Sequence, residues 1–169
     1  MSVDSEIASV KAKISRWLSE ESCKPAERSD SRAHFAIEIT FNNQSFAVIQ
    51  PKERNDSLSV GSRMGLATFQ VERLKKMELP KKEALIWELH LALMNKNQLS
   101  LFELGPHLPT DFNEATIQSR PIYYDALTKD RLMSAIESVF RAFVLIQDTI
   151  DKYSGSITPM YRHKGLDNP

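Results

Sequence analysis

Apolar residues recur along the chain with two different periods, and the changes between them divide it into elements. Val3, Ile7, Val10, Ile14 and Trp17 stand four and three residues apart, and Leu18 widens the stripe. That spacing lines one face of a helix and predicts one over residues 3–21. Ser2 or Asp4 is a candidate cap for its start. Pro25 and the polar run KPAERSDSR end it. The period then falls to two. Phe35, Ile37, Ile39 and Phe41 alternate with His34, Ala36, Glu38 and Thr40. Phe46 and Val48 alternate with Ala47 and Ile49, and Leu58, Val60, Ser62 and Met64 share one side. NNQ at 42–44 supplies turn residues that tolerate positive φ, and KERND after Pro51 supplies a second turn. Three antiparallel strands with one buried face follow from this pattern.

Helical spacing returns over about 67–96, with a break expected near Pro80, which suits the first turn of a second piece. Leu85, Leu89, Ala92 and Leu93 form one stripe there, and Trp87, Leu91 and Met94 form another on the opposite side. A helix apolar almost all round is buried on two sides. If the sheet takes the Leu85 side, the final helix, a second subunit or a client segment is left for the Trp87 side. Strands are predicted at 99–104 and 115–124, separated by the proline-containing loop GPHLPTDFNE. Pro121 has no N–H to donate to a ladder, so it belongs at an edge or a bulge. A last helix over 129–153 puts Leu132, Ile136, Val139, Phe143, Ile146 and Ile150 on its core face, with Glu137, Arg141, Asp148 and Lys152 opposite. The order α-β-β-β-α-β-β-α predicts an α+β two-layer sandwich, helices on an antiparallel sheet, in one domain spanning 1–153. The aperiodic polar tail 154–169 is expected to be flexible.

Composition narrows the function classes. The 169 residues are 41% hydrophobic and 26% charged, the balance of an ordinary globular domain. Lys plus Arg equals Asp plus Glu at 22 each, so no global field draws nucleic acid or an anionic membrane. Cys23 is the single cysteine, which excludes an internal disulfide and fits a cytoplasmic setting. The N-terminus is not that of a signal peptide, and no apolar run approaches the roughly 20 residues of a membrane span.

The stretch RPIYYDALTKDRL looks catalytic at first sight. In a strand, however, Tyr123 and Tyr124 point to opposite faces and cannot act on one substrate. Ile122 and Tyr124 share the core side. Thr128 is placed to cap the following helix, and Asp130 to meet its positive end. A strand-to-helix transition accounts for the whole stretch. His34, His90, His107 and His163 show no i, i+4 pairing and no zinc signature, and no cofactor is expected. Cys23 lies at a helix C-terminus, where a thiolate is disfavoured, and is expected to be inert. GSRMG at 61–65 is neither a phosphate loop nor a nucleophile elbow. Glu20 and Glu21 are adjacent and do not face each other. The basic cluster Arg73, Lys75, Lys76, Lys81 and Lys82 is interleaved with Glu72, Glu78 and Glu83, and no aromatic platform accompanies it.

The blocks LPKKEALIWELHLALMNK and SRPIYYDALTKDRLMSAIESVFRAF, the second the more specific, resemble an uncharacterised archaeal family of proteins of this length. The element order also resembles the type III secretion chaperone-like fold, over about residues 3–153. Proteins of that fold dimerise and bind extended protein segments. The resemblance therefore implies a homodimer or a protein partner, and it carries no functional residue with it. The expectation is a non-enzymatic protein-binding module using Trp87, Leu91 and Met94. Its rivals are a small-molecule site or enzyme built from His107, Asp111 and Asp125, and a weak nucleic-acid site at residues 73–82.

Overall fold

The computed structural model describes residues 3–94, 99–105 and 111–155. Helix α1 (Val3–Glu20) is followed by strands β1 (Ala26–Arg28), β2 (Ala33–Phe41), β3 (Gln44–Pro51) and β4 (Ser57–Gly65). Helices α2 (Thr68–Lys76) and α3 (Leu79–Met94) come next, then β5 (Leu99–Gly105), β6 (Glu114–Ser119) and β7 (Ile122–Tyr123). A 3-10 turn (Tyr124–Ala126) leads into α4 (Lys129–Ser154). This is a mixed α+β architecture. One antiparallel sheet of order β1-β2-β3-β4-β6-β5, with β7 paired to β4, carries helices on one face.

Local chemistry explains most boundaries. α1 stops because Ser22 adopts a left-handed φ of 59°. Its N–H then reaches the Ser19 carbonyl, and the Cys23 N–H reaches that of Leu18, which satisfies carbonyls left open at the helix end. Cys23 and Leu18 are both buried beneath this turn. The β2–β3 hairpin closes through Asn42 and Asn43, both at positive φ, the conformation expected of that pair. α2 ends before Pro80, which takes the second position of α3. The buried Gln70 side chain accepts the Ala67 N–H at 2.9 Å and donates to Asp151 at 2.8 Å, fastening the start of α2 to α4.

Three expectations change. The run after Pro25 contains β1, an exposed edge strand registered as Ala26↔Glu38 and Arg28↔Ala36. The strand expected over 115–124 is split. β6 pairs with the second half of β4, and β7 pairs with its beginning at Ser57↔Tyr123 and Leu58↔Ile122. Arg120 and Pro121 lie between, because proline cannot supply the ladder donor there. Tyr124 consequently leaves the strand and starts the 3-10 turn. The tail boundary moves by one residue, since α4 includes Ser154 and is closed by Gly155 at φ 69°. Residues 156–169 and the proposed cap Ser2 lie outside the described residues.

A single core joins both layers. Phe35, Ile37 and Ile39 of β2, Val48 of β3 and Val60 of β4 pack against Ile14 and Leu18 of α1 and the Ile136, Val139 and Ile146 stripe of α4. Phe41, Phe46 and Phe140 meet edge to face, with ring centroids 5.6–6.4 Å apart. Fully burying each large aliphatic side chain contributes about 1.5–3 kcal/mol, so this cluster is the principal stabilising term.

Candidate functional site

Helix α3 is fixed to the body on one side only. Leu85, Leu89 and Leu93 are buried, as their spacing requires. Glu88 accepts both Oε1 and Oε2 contacts from Lys152 Nζ, at 2.8 and 3.0 Å, and one from the Tyr153 hydroxyl at 2.8 Å. These bonds hold the Glu88 carboxyl below its ordinary range, Lys152 contributing most. α4 is thereby clamped along α3, and it does not cover the second stripe. Trp87 is 66% exposed, Leu91 45% and Met94 77%. Of the three covers left open for the Trp87 side, the final helix is not the one: α4 packs on the Leu85–Leu89–Leu93 side, and the other stripe points outward.

The uncovered stripe continues into a groove. His90, Leu93 and Met94 of α3 and Leu99, Leu101 and Phe102 of β5 line a hollow of about 260 Å³, with Arg120 at its border. His90 stands edge-on to Phe102 at 5.2 Å and shares a 2.8 Å hydrogen bond with the Ile86 carbonyl, which sets the groove wall. β5 is the last strand of the sheet, and among the described residues nothing pairs with its outer edge. Its backbone N–H and C=O groups are a template for another strand. The opposite edge differs. β1 has three residues, all exposed, two of them charged, a blunted edge. β5 carries seven residues with Glu103 as its single charge.

The basic cluster comes together only in part. Arg73, Lys76 and Lys81 border one hollow of about 390 Å³ with Glu78 and Tyr153, while Lys75 and Lys82 stand apart from it. Arg73 Nη1 donates to the Ser154 carbonyl at 2.8 Å, and its guanidinium lies 5.8 Å from the Phe69 ring centre. A cation at the C-terminal end of α4 offsets the partial negative charge there. That structural task accounts for Arg73.

The tyrosines part as their opposite directions require. Tyr123 is exposed and accepts from Arg54 Nη1 at 3.4 Å. The half-buried Tyr124 donates to the fully buried Gln50, whose amide donates to the Arg54 carbonyl at 3.2 Å. Burial pushes the Tyr124 phenol up to about 12. Sequence reasoning missed this pair. The available signal was Gln50 itself, a polar residue on the inward phase of β3 that demands a partner. Thr128 caps α4, accepting the Arg131 N–H at 3.2 Å. Asp111 and Asp125 are exposed on separate segments and line none of these hollows, while His107 and His163 lie outside the described residues. His34 pairs with Asn55 at 2.8 Å. Cys23 is buried, and burial together with the Glu21 charge pushes its thiol up, the reverse of an activated thiolate. Among the described residues no three His, Cys, Asp or Glu side chains come together as a metal site.

Comparison with known proteins supplies a family and a fold. Residues 10–150 match DUF2299, described as an uncharacterized conserved protein family, and the chain belongs to it. An uncharacterized protein from Methanothermobacter thermautotrophicus, known from its crystal structure, superposes with a TM-score of 0.77 at 24% identity. The match covers 84% of this chain and 96% of that one. At that identity the likeness establishes the fold alone. No curated protein matches the chain. Among the described residues no helix is long and apolar enough to cross a membrane.

Proposed function

We propose that this member of the DUF2299 family is a non-enzymatic binding module that receives an extended segment of another polypeptide along β5 and the outward side of α3. The observation that carries the reading is the exposure of Trp87, Leu91 and Met94 on a helix whose opposite face is locked into the core. The open edge of β5 supports a strand as the occupant, because main-chain hydrogen bonds give affinity while the apolar groove takes alternate side chains. Trp and Met are residue types enriched at interface centres. The relation to the secretion chaperone-like fold belongs to this reading, as does self-association through the same surface.

A photo-crosslinking amino acid placed at Met94 tests it, with the same group at the exposed Thr40 on the opposite face of the sheet as control. In native lysate the Met94 position is expected to yield a discrete crosslinked polypeptide whose attachment maps to an extended apolar segment. Crosslinking no stronger from Met94 than from Thr40 contradicts the proposal.

A further inference from the structure

The stretch RPIYYDALTKDRL borders a further hollow, distinct from the one between α3 and β5. It has a volume of about 520 Å³ and lies between the β6–β7 connection and the first turns of α4. That volume is in the range of small-ligand sites, roughly 300–1,000 Å³. Its floor is apolar: Pro121, Ile122, Ala126 and Ala135, of which Ile122 and Ala135 are each 8% exposed. Its rim carries Arg120 and Arg131, with hydroxyls from Tyr123 and Ser134. Among the described residues no acidic side chain lines it.

Among the described residues, the arginines that form ion pairs are Arg16, Arg32, Arg63 and Arg141, and no described carboxylate pairs with Arg120 or Arg131. Tyr123 Oη accepts from Arg54 Nη1 at 3.4 Å and keeps its own O–H available to donate. The backbone beneath these groups is held firmly. Pro121 has a fixed φ, Ile122 pairs with Leu58, and Thr128 caps the helix on which Arg131 and Ser134 stand.

We infer that this hollow binds a small organic anion, a phosphate monoester with a compact apolar body. The two guanidinium groups and the Tyr123 hydroxyl take the phosphate oxygens, and the proline–alanine floor takes the apolar body. Guanidinium is suited to this because it offers paired donors to an oxyanion and remains charged at any working pH. The site stands apart from the proposed polypeptide surface, although Arg120 borders both.

Phenyl phosphate and inorganic phosphate are the probes, titrated into the 15N-labelled full chain at millimolar concentration. Phenyl phosphate is expected to shift the Arg120, Ala126, Arg131 and Ala135 amides, and inorganic phosphate to shift them more weakly because it leaves the floor empty. Arg120→Gln and Arg131→Gln are each expected to weaken phenyl phosphate binding roughly tenfold or more, as loss of a charged hydrogen bond implies. Tyr123→Phe is expected to weaken it by a smaller factor with an unchanged unfolding midpoint. All three side chains are exposed, so the variants fold. Absence of localised shifts, or binding that survives Arg120→Gln combined with Arg131→Gln, overturns the inference. Crosslinking from Met94 is read separately, so failure of either proposal leaves the other standing.

Discussion

At the scale of single residues, the decisive contacts are those that satisfy buried polar groups. Gln50 is fully buried on the inward side of β3 and is satisfied by Tyr124 and by the Arg54 carbonyl. Tyr124→Phe removes the donor and leaves a buried amide oxygen unpaired, which is expected to cost about 1–3 kcal/mol in denaturant unfolding. The same residue has a pH signature. Its phenol titrates at about 12 in the folded chain, above the ordinary value of 10.0. A raised folded pKa contributes stability that is complete below the unfolded value and is lost as pH rises through the folded one. The wild type is therefore expected to lose more stability between pH 10 and 12 than Tyr124→Phe does. Lys129, Lys152 and Tyr153 are also shifted upward and weaken both proteins alike in that range. Equal alkaline slopes in wild type and variant count against the Tyr124 assignment. The inward side of Tyr124 was legible, but its pairing was not. Continuing the Phe46–Val48 alternation would have put Gln50 on the core side, yet its partner lies 74 residues away, across a topology that periodicity does not encode.

At the scale of elements, the sequence was most informative where local chemistry acts alone. The Asn42–Asn43 turn, the Pro80 boundary and the Thr128 cap each depend on a residue's own backbone preference and stand where those preferences put them. Thr128→Ala is expected to destabilise the fold by about 1 kcal/mol, read as a lower denaturation midpoint. An unaltered midpoint means that the Arg131 N–H finds an equivalent acceptor and the cap is dispensable. Elements that exist through their neighbours were not visible. Ala26, Glu27 and Arg28 form a strand because β2 offers a free edge, and nothing in three exposed residues announces it. The division into β6 and β7 was half legible. Pro121 marked the weak point, but the return of the chain to the start of β4 depends on the sheet already being assembled.

At the scale of the whole molecule, the sequence showed two apolar sides on α3 without showing what covers them. α4 lies on the Leu85 side and leaves the Trp87 side open, and α4 is held by the Glu88–Lys152–Tyr153 contacts and by Gln70–Asp151, none of which follow from spacing. The result is an antiparallel sheet with one blunted edge and one open edge, and beside the open edge an exposed Trp–Leu–Met stripe. The most direct measurement is size-exclusion chromatography with light scattering on Leu91→Asp, beside circular dichroism. Leu91 is 45% exposed, so the charge enters water rather than the core. The fold is expected to survive with a change in stability within about 0.5 kcal/mol, the range of ordinary surface substitutions. The predicted result is a folded protein that has lost the polypeptide, or second copy, associated with the wild type. A folded Leu91→Asp protein with unchanged mass and unchanged associates contradicts the account.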